Sequence, residues 1–290
     1  MNNTATFDRS VEDVGNILNL EHFNFTVPDQ ELASLFYVSG LGFTRDPYMD
    51  FATFNMWINV GEQQFHLPKS DAQVFRGHVA LIIPDHDGLK RRLEFVTRFM
   101  EGTKYSWESI GSHIQVKCPW GNTFRVYSPG GDHPYPMDLG IPYGEMVVAP
   151  GTTEGIARFY DEVFSTPANV VDDDDGKRAV VRMGYNQSFI FRESDEEIPE
   201  YDGHHIAIYV SNFSGPHRKL KESGKISEES DQHQYRFQSI TDPATGTVVA
   251  ELEHEVRSLH HPMKRRVLVN RNSAQTFGNY RAGRDMFIPT

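Results

Sequence analysis

The clearest pattern in the chain is an alternation of apolar and polar positions that returns about every 60 residues. Its first copy is Leu20-Glu21-His22-Phe23-Asn24-Phe25-Thr26-Val27. Phe23, Phe25 and Val27 share one face of a strand, and His22, Asn24 and Thr26 share the other. A turn at Pro28-Asp29 leads into a helical stretch, Gln30 to Ser39, with Leu32, Leu35 and Phe36 at helix spacing. Gly40-Leu41-Gly42 closes it. Three strand candidates follow, near 44–48, 53–60 and 63–67. The unit is strand, helix, strand, strand, strand.

The second copy opens at Gly77-His78-Val79-Ala80-Leu81-Ile82-Ile83, turns at Pro84-Asp85 and continues through a helix near 87–98. It ends in strands at 113–117 and 123–127, on either side of Pro119-Trp120-Gly121-Asn122. A third copy opens at Gly144-Glu145-Met146-Val147-Val148, and the Phe159-Tyr160 of its helix echoes Phe36-Tyr37. The fourth opens at Gly203-His204-His205-Ile206-Ala207-Ile208-Tyr209-Val210 and ends in a strand at 247–253. Pro129, Pro134, Pro136 and Pro142 mark a linker that divides the copies two and two.

Three features together resemble the vicinal oxygen chelate superfamily, which comprises glyoxalase I, the bleomycin- and fosfomycin-resistance proteins and the extradiol ring-cleaving dioxygenases. They are the paired openings Glu-His-Phe-Asn-Phe-Thr-Val-Pro-Asp and Gly-His-Val-Ala-Leu-Ile-Ile-Pro-Asp, the Leu41-Gly42-Phe43 helix exit, and Pro119-Trp120-Gly121-Asn122 before a terminal strand. The resemblance spans roughly residues 19–255. It implies an α+β fold of four βαβββ modules, each adjacent pair building one cupped mixed sheet around a cleft. The expected organisation is an extension at 1–18, a first domain at 19–130, a linker at 131–143, a second domain at 144–255 and a basic tail at 256–290. Four modules in one chain is the layout of extradiol dioxygenases, shared with double-domain glyoxalases.

The resemblance also implies metal ligands on the first and last strand of each module, facing the cup. Strand phase maps those positions onto His22, His66, His78 and Arg125, with gaps of 66 − 22 = 44 and 125 − 78 = 47. A lone histidine on a strand is ordinarily a hydrogen-bonded structural residue. Three in matching phase suit an imidazole-rich divalent site, Fe(II) by preference, with Zn, Mn, Ni or Co as alternatives. Arg125 departs from the glutamate usual in the family, and a cation cannot ligate. One reading keeps the metal and lets Arg125 clamp an anionic substrate while Tyr127 relays a proton. The other has the metal lost, leaving a cleft for an anionic or aromatic ligand lined by Asn55, Trp57 and Tyr127. Asn24 and Gln64 share the cup face and complete the expected substrate contacts. The second domain offers Glu145, His205 and Glu251, with Glu253 in the same phase. That is one histidine fewer than a ring-cleaving iron site, and the alternative is a domain kept for packing.

Composition narrows the choice. The chain has 290 residues, 38% hydrophobic and 12% aromatic, which suffices for packed cores. One cysteine, Cys118, excludes thiolate clusters and fits a reducing compartment. With 28 basic and 40 acidic residues the net charge is −12. From Val256 onward seven basic residues face one acid, so the tail is +6 and the body −12 − 6 = −18. A body of that sign repels nucleic acid. No apolar run is long enough for a membrane span, and Asp8, Glu12 and Asp13 stand where a signal peptide would be basic, so a soluble cytosolic protein is expected. Asp172-Asp173-Asp174-Asp175-Gly176 lacks the spacing of a calcium loop, and no phosphate loop or serine elbow is present. Three functions remain. The first is a metal-dependent enzyme on a small oxygenated substrate, dioxygenase-like or glyoxalase/lyase-like. The second is a non-catalytic, drug-sequestering binder. The third is a scaffold that forms a homodimer through its sheet edges and basic tail.

Overall fold

The computed structural model describes residues 7–49, 54–131 and 135–264. The four modules are present in order. The first is β1 (Ile17–Asn24), α1 (Gln30–Ser34), β2 (Thr44–Arg45), β3 (Asn55–Val60) and β4 (Gln63–Pro68). The second is β5 (Gly77–Ile82), α2 (His86–Thr97), β6 (Ser106–Ile110), β7 (His113–Lys117) and β8 (Thr123–Tyr127). The third is β9 (Tyr143–Val148), α3 (Thr153–Phe164), β10 (Ala168–Asp173), β11 (Gly176–Arg182) and β12 (Ser188–Glu193). The fourth is β13 (His205–Val210), α4 (Ser214–Glu222), β14 (Ile226–Asp231), β15 (Gln234–Thr241) and β16 (Val248–Ser258). The Pro-Asp turns act as helix starts. Asp29 accepts from the Glu31 and Leu32 amides at 2.9 Å, and Asp85 from the Gly88 amide at 2.8 Å.

The pairing of modules departs from expectation. One sheet has the order β14-β15-β16-β13-β1-β4-β3-β2 and the other β10-β11-β12-β9-β5-β8-β7-β6. The first module therefore shares its sheet with the fourth, and the second with the third, so adjacent modules do not build one cup. The openings of all four modules carry the same alternation. That pattern decides which face is buried, but not which edge a strand meets. The tail also starts later than expected, because β16 continues to Ser258 and takes Arg257 into the sheet. Residues 265–290 lie outside the described residues.

The two sheets are back to back over one core. Phe23 of the first sheet lies 6.2 Å from Phe189 of the second, and Phe65 lies 5.6 Å from Phe124, centroid to centroid. Phe36, just beyond α1, packs 5.8 Å from Phe124. Each such ring, buried completely, contributes about 1.5–3 kcal/mol. With the apolar faces turned inward, the polar faces form two outward cups. Gly184, in the turn before β12, is at φ +98°, and a Cβ there would lie 2.0 Å from the Leu18 carbonyl, so that turn closes on β1 only as glycine.

The third and fourth modules are tied by ionic and hydrogen bonds. Arg158 of α3 forks onto Asp242 at 3.0 and 2.7 Å, and Tyr160 Oη lies 2.6 Å from His254 Nε2. The Arg158 fork lowers the Asp242 pKa to about 2. A carboxyl group lowered on folding stabilises the protein above its unfolded pKa near ~4 and loses that contribution as the pH falls to the folded value. Arg158→Met is expected to be less stable than the parent at about pH 6, with the gap closing towards about pH 2. Urea midpoints across that range check it. A gap independent of pH would assign the effect to packing.

Candidate metal centre

The first cup gathers residues from β1, β3, β4, β13, β15 and β16. His22 and Asn24 are cup-facing on β1, opposite Ala207 and His205 of β13. Phe23 pairs with Ile206, so a local two-fold axis passes through that pair and relates His22 to His205. In the flanking parallel strands Asn24 pairs with His66 and Ala207 with Glu255, so His66 and Glu255 are also equivalent. Two module ends thus place three imidazoles and a carboxylate around one axis.

The imidazole nitrogens of His22, His66 and His205 lie within 4.8 Å of one another. The Nε2 atoms of all three are buried and have no hydrogen-bond partner. His22 Nδ1 contacts the Glu21 carboxylate. A carboxylate only accepts, so Nδ1 carries a proton, and Nε2 is the ring nitrogen turned towards the other two histidines. Trp57 stacks on His66 at 4.0 Å and meets the edge of His22 at 4.9 Å, holding both rings. Burial above all, and then the neighbouring His22, puts the pKa values of His66 and His205 well below the usual histidine range. Both are therefore neutral, ligand-competent imidazoles at neutral pH.

A chain of buried charges backs the trio. Arg257 donates to Glu21 at 3.0 Å and also contacts Glu255, while Arg236 donates to Glu255 at 2.5 Å and to Glu253 at 2.7 Å. Glu255 Oε2 lies 3.7 Å from His205 Nε2. Four carboxylates, Glu21, Glu228, Glu253 and Glu255, against two guanidinium groups leave −4 + 2 = −2. A negative surplus beside three unpartnered imidazole nitrogens suits a cation. Glu21, which contacts His22, also lines a cleft of about 430 Å³ together with Asn19, Gln64, Gln187, Tyr209 and Lys264; the three histidines themselves do not line it. That is room for a small molecule.

The sequence-derived candidates are divided between the cups. His22 and His66 are together as expected, joined by His205, but His78, Arg125 and Tyr127 lie in the second cup with Glu145. The expectation that His78 completes a site with His22 and His66 is corrected by the sheet order. Glu251 is exposed near the start of β16, holding Gln238 at 3.1 Å, so the carboxylates beside His205 are Glu253, 3.6 Å from Nδ1, and Glu255, 3.7 Å from Nε2, and not Glu251. Asn24 and Asn55 face the first cup, each with an unpartnered buried Oδ1. Gln64 instead donates to Asp46 and Asn59 at 2.8 and 2.6 Å. Trp57 is 3% exposed and stacked on His66, so it has no free face for a ligand. Glu21, Arg236, Arg257 and Glu255 were missed. The signal for Glu255 was a gap of 255 − 205 = 50, close to the 44 between His22 and His66.

In the second cup His78 lies opposite Glu145 on the local axis, and Arg125 and Arg192 are its symmetric pair, next to Ala80 and Val147. Arg192 forks onto Glu145 at 2.7 and 2.9 Å. Burial lowers the His78 pKa to about 4 against the opposing pull of Glu145. Cys118 is buried, which raises its thiol pKa and disfavours the reactive thiolate.

Two eight-stranded sheets built from four βαβββ modules are the vicinal oxygen chelate fold, and this chain has it. The chain is similar over 91% of its length to a putative dioxygenase from Bacillus subtilis, with TM-score 0.58, 11% identity and 90% of that chain covered. It is likewise similar over 83% of its length to glyoxalase I from Zea mays, with TM-score 0.56, 15% identity and 92% of that chain covered. No protein-family model matches the sequence, and no curated protein does. Among the described residues, no helix is long and apolar enough to cross a membrane.

Proposed function

We propose that this protein is a metal-dependent enzyme of the vicinal oxygen chelate superfamily, with its centre in the first cup. The observation that carries the reading is the convergence of three buried, unpartnered imidazole nitrogens from His22, His66 and His205. Glu255 is the carboxylate placed to complete the set, and such a mixed imidazole–carboxylate set suits Fe(II) first, then Zn, Mn, Ni or Co. The metal supplies a Lewis acid that stabilises negative charge developing on a substrate oxygen.

The chain's own residues do the positioning. Glu21 fixes the His22 tautomer, and Trp57 fixes the planes of His66 and His22. Asn24 and Asn55 present carbonyl oxygens that can accept from a substrate hydroxyl. Arg125 belongs to the other cup, so it cannot clamp an anionic substrate here, and an oxygenated or aromatic one fits the first cup better.

The test is elemental analysis of untagged protein followed by turnover assays. About one equivalent of transition metal per chain is expected. Oxygen-dependent ring cleavage of catechols and isomerisation of hemithioacetals then separate the dioxygenase-like from the glyoxalase-like reading. Protein that takes up no metal with its histidines intact would overturn the proposal in favour of a non-catalytic binder.

A further inference from the structure

The two cups carry opposite charge. In the second, Glu145 against Arg125 and Arg192 gives −1 + 2 = +1, and Arg178, next along the sheet, is cancelled by Asp173 at 2.5 Å. Arg192 is spent on Glu145. Arg125 has no ion-pair partner among the described residues, and its Nε is buried without a hydrogen bond. An unpaired guanidinium with a desolvated N–H is an unmet demand for an anion.

Its surroundings say what kind of anion. His113, whose Nε2 is also buried and unpartnered, packs 5.4 Å from the Tyr127 ring. Tyr127 and Tyr143 hydroxyls are 2.9 Å apart, and His78 Nε2 is 3.4 Å from the latter. Beside these polar groups lies an apolar cluster separate from the main core, with Ala80, Ile82 and Met137 buried in it and the half-buried Tyr135 and Ile190 packed against it. Arg125, His113 and Ile190 are only half-buried, so solvent reaches this face. Burial holds both His78 and His113 below the usual histidine range, so Arg125 is the group that carries the charge.

We propose that the second cup is a metal-free binding site for a small organic carboxylate, with the Arg125 fork on the carboxylate and the apolar cluster against its hydrocarbon body. Two-fold equivalents of the metal positions have become His78 and Glu145, already satisfied within the cup, while Arg125 has taken a position that repels a metal. The inference is independent of the metal reading.

Benzoate is the probe, titrated by calorimetry into the full-length protein, with neutral benzamide as control. Saturable benzoate binding in the millimolar range or tighter is expected, with benzamide at least about tenfold weaker. Arg125→Gln should weaken benzoate at least about tenfold, and Arg125→Lys, which keeps the charge but loses the fork, by less. His205→Ala, altered only in the first cup, should bind benzoate as the parent does. Benzoate affinity unchanged in Arg125→Gln, or lost in His205→Ala, overturns the proposal, as does the absence of saturable binding. Circular dichroism confirms that each variant is folded, and if Arg125→Gln is not, Arg125→Lys decides alone.

Discussion

His205→Ala is expected to remove the metal from the first cup, weakening its affinity by more than the roughly 10–100-fold that loss of a supporting residue costs, while His78→Ala leaves metal content unchanged. His205 supplies one of three imidazole nitrogens within 4.8 Å of each other, and its Nε2 is buried without a hydrogen-bond partner. His78 has the same strand phase and the same kind of opening sequence, but it belongs to the other sheet and faces Glu145 and Tyr143. Competition with a chromogenic chelator, on both variants and the parent, gives the affinities directly. Metal lost in His78→Ala and kept in His205→Ala would mean that adjacent modules pair after all. Then the first cup would not be the centre.

That contrast also marks how far the residues could be read without coordinates. Alternation in β1 places His22 and Asn24 opposite Phe23, and the Pro-Asp turns announce the helices that follow, so module, face and two of three histidines were legible. The partner edge was not. The openings of β1, β5, β9 and β13 have equivalent patterns, and the choice of β13 for β1 is made by the packing of whole modules across the core, a non-local property. Once β1 meets β13, His205 and Glu255 arrive as equivalents of His22 and His66. The buried arginines were hidden for a second reason. Arg257 reads as the start of a basic tail, and only the extension of β16 to Ser258 shows that it is a counter-ion.

Arg257→Met is expected to destabilise the protein by about 3–5 kcal/mol, the cost of leaving a buried charge without its partner. Arg257 is 4% exposed; burial opposes its charge, but Glu21 and Glu255 more than offset this, and its pKa lies above the usual arginine value. Removing it changes the cluster from −2 to −4 + 1 = −3; Glu21 loses its guanidinium partner and Glu255 keeps only Arg236. Arg257→Lys keeps one charge but cannot fork between two carboxylates, so it should lose less. A divalent ion beside Glu255 would offset part of the added negative charge. Metal should therefore stabilise Arg257→Met by more than it stabilises the parent. Urea midpoints with and without chelator measure both effects at once. A loss below about 1 kcal/mol would show that Arg257 is an accessory to the sheet and not the counter-ion of the centre.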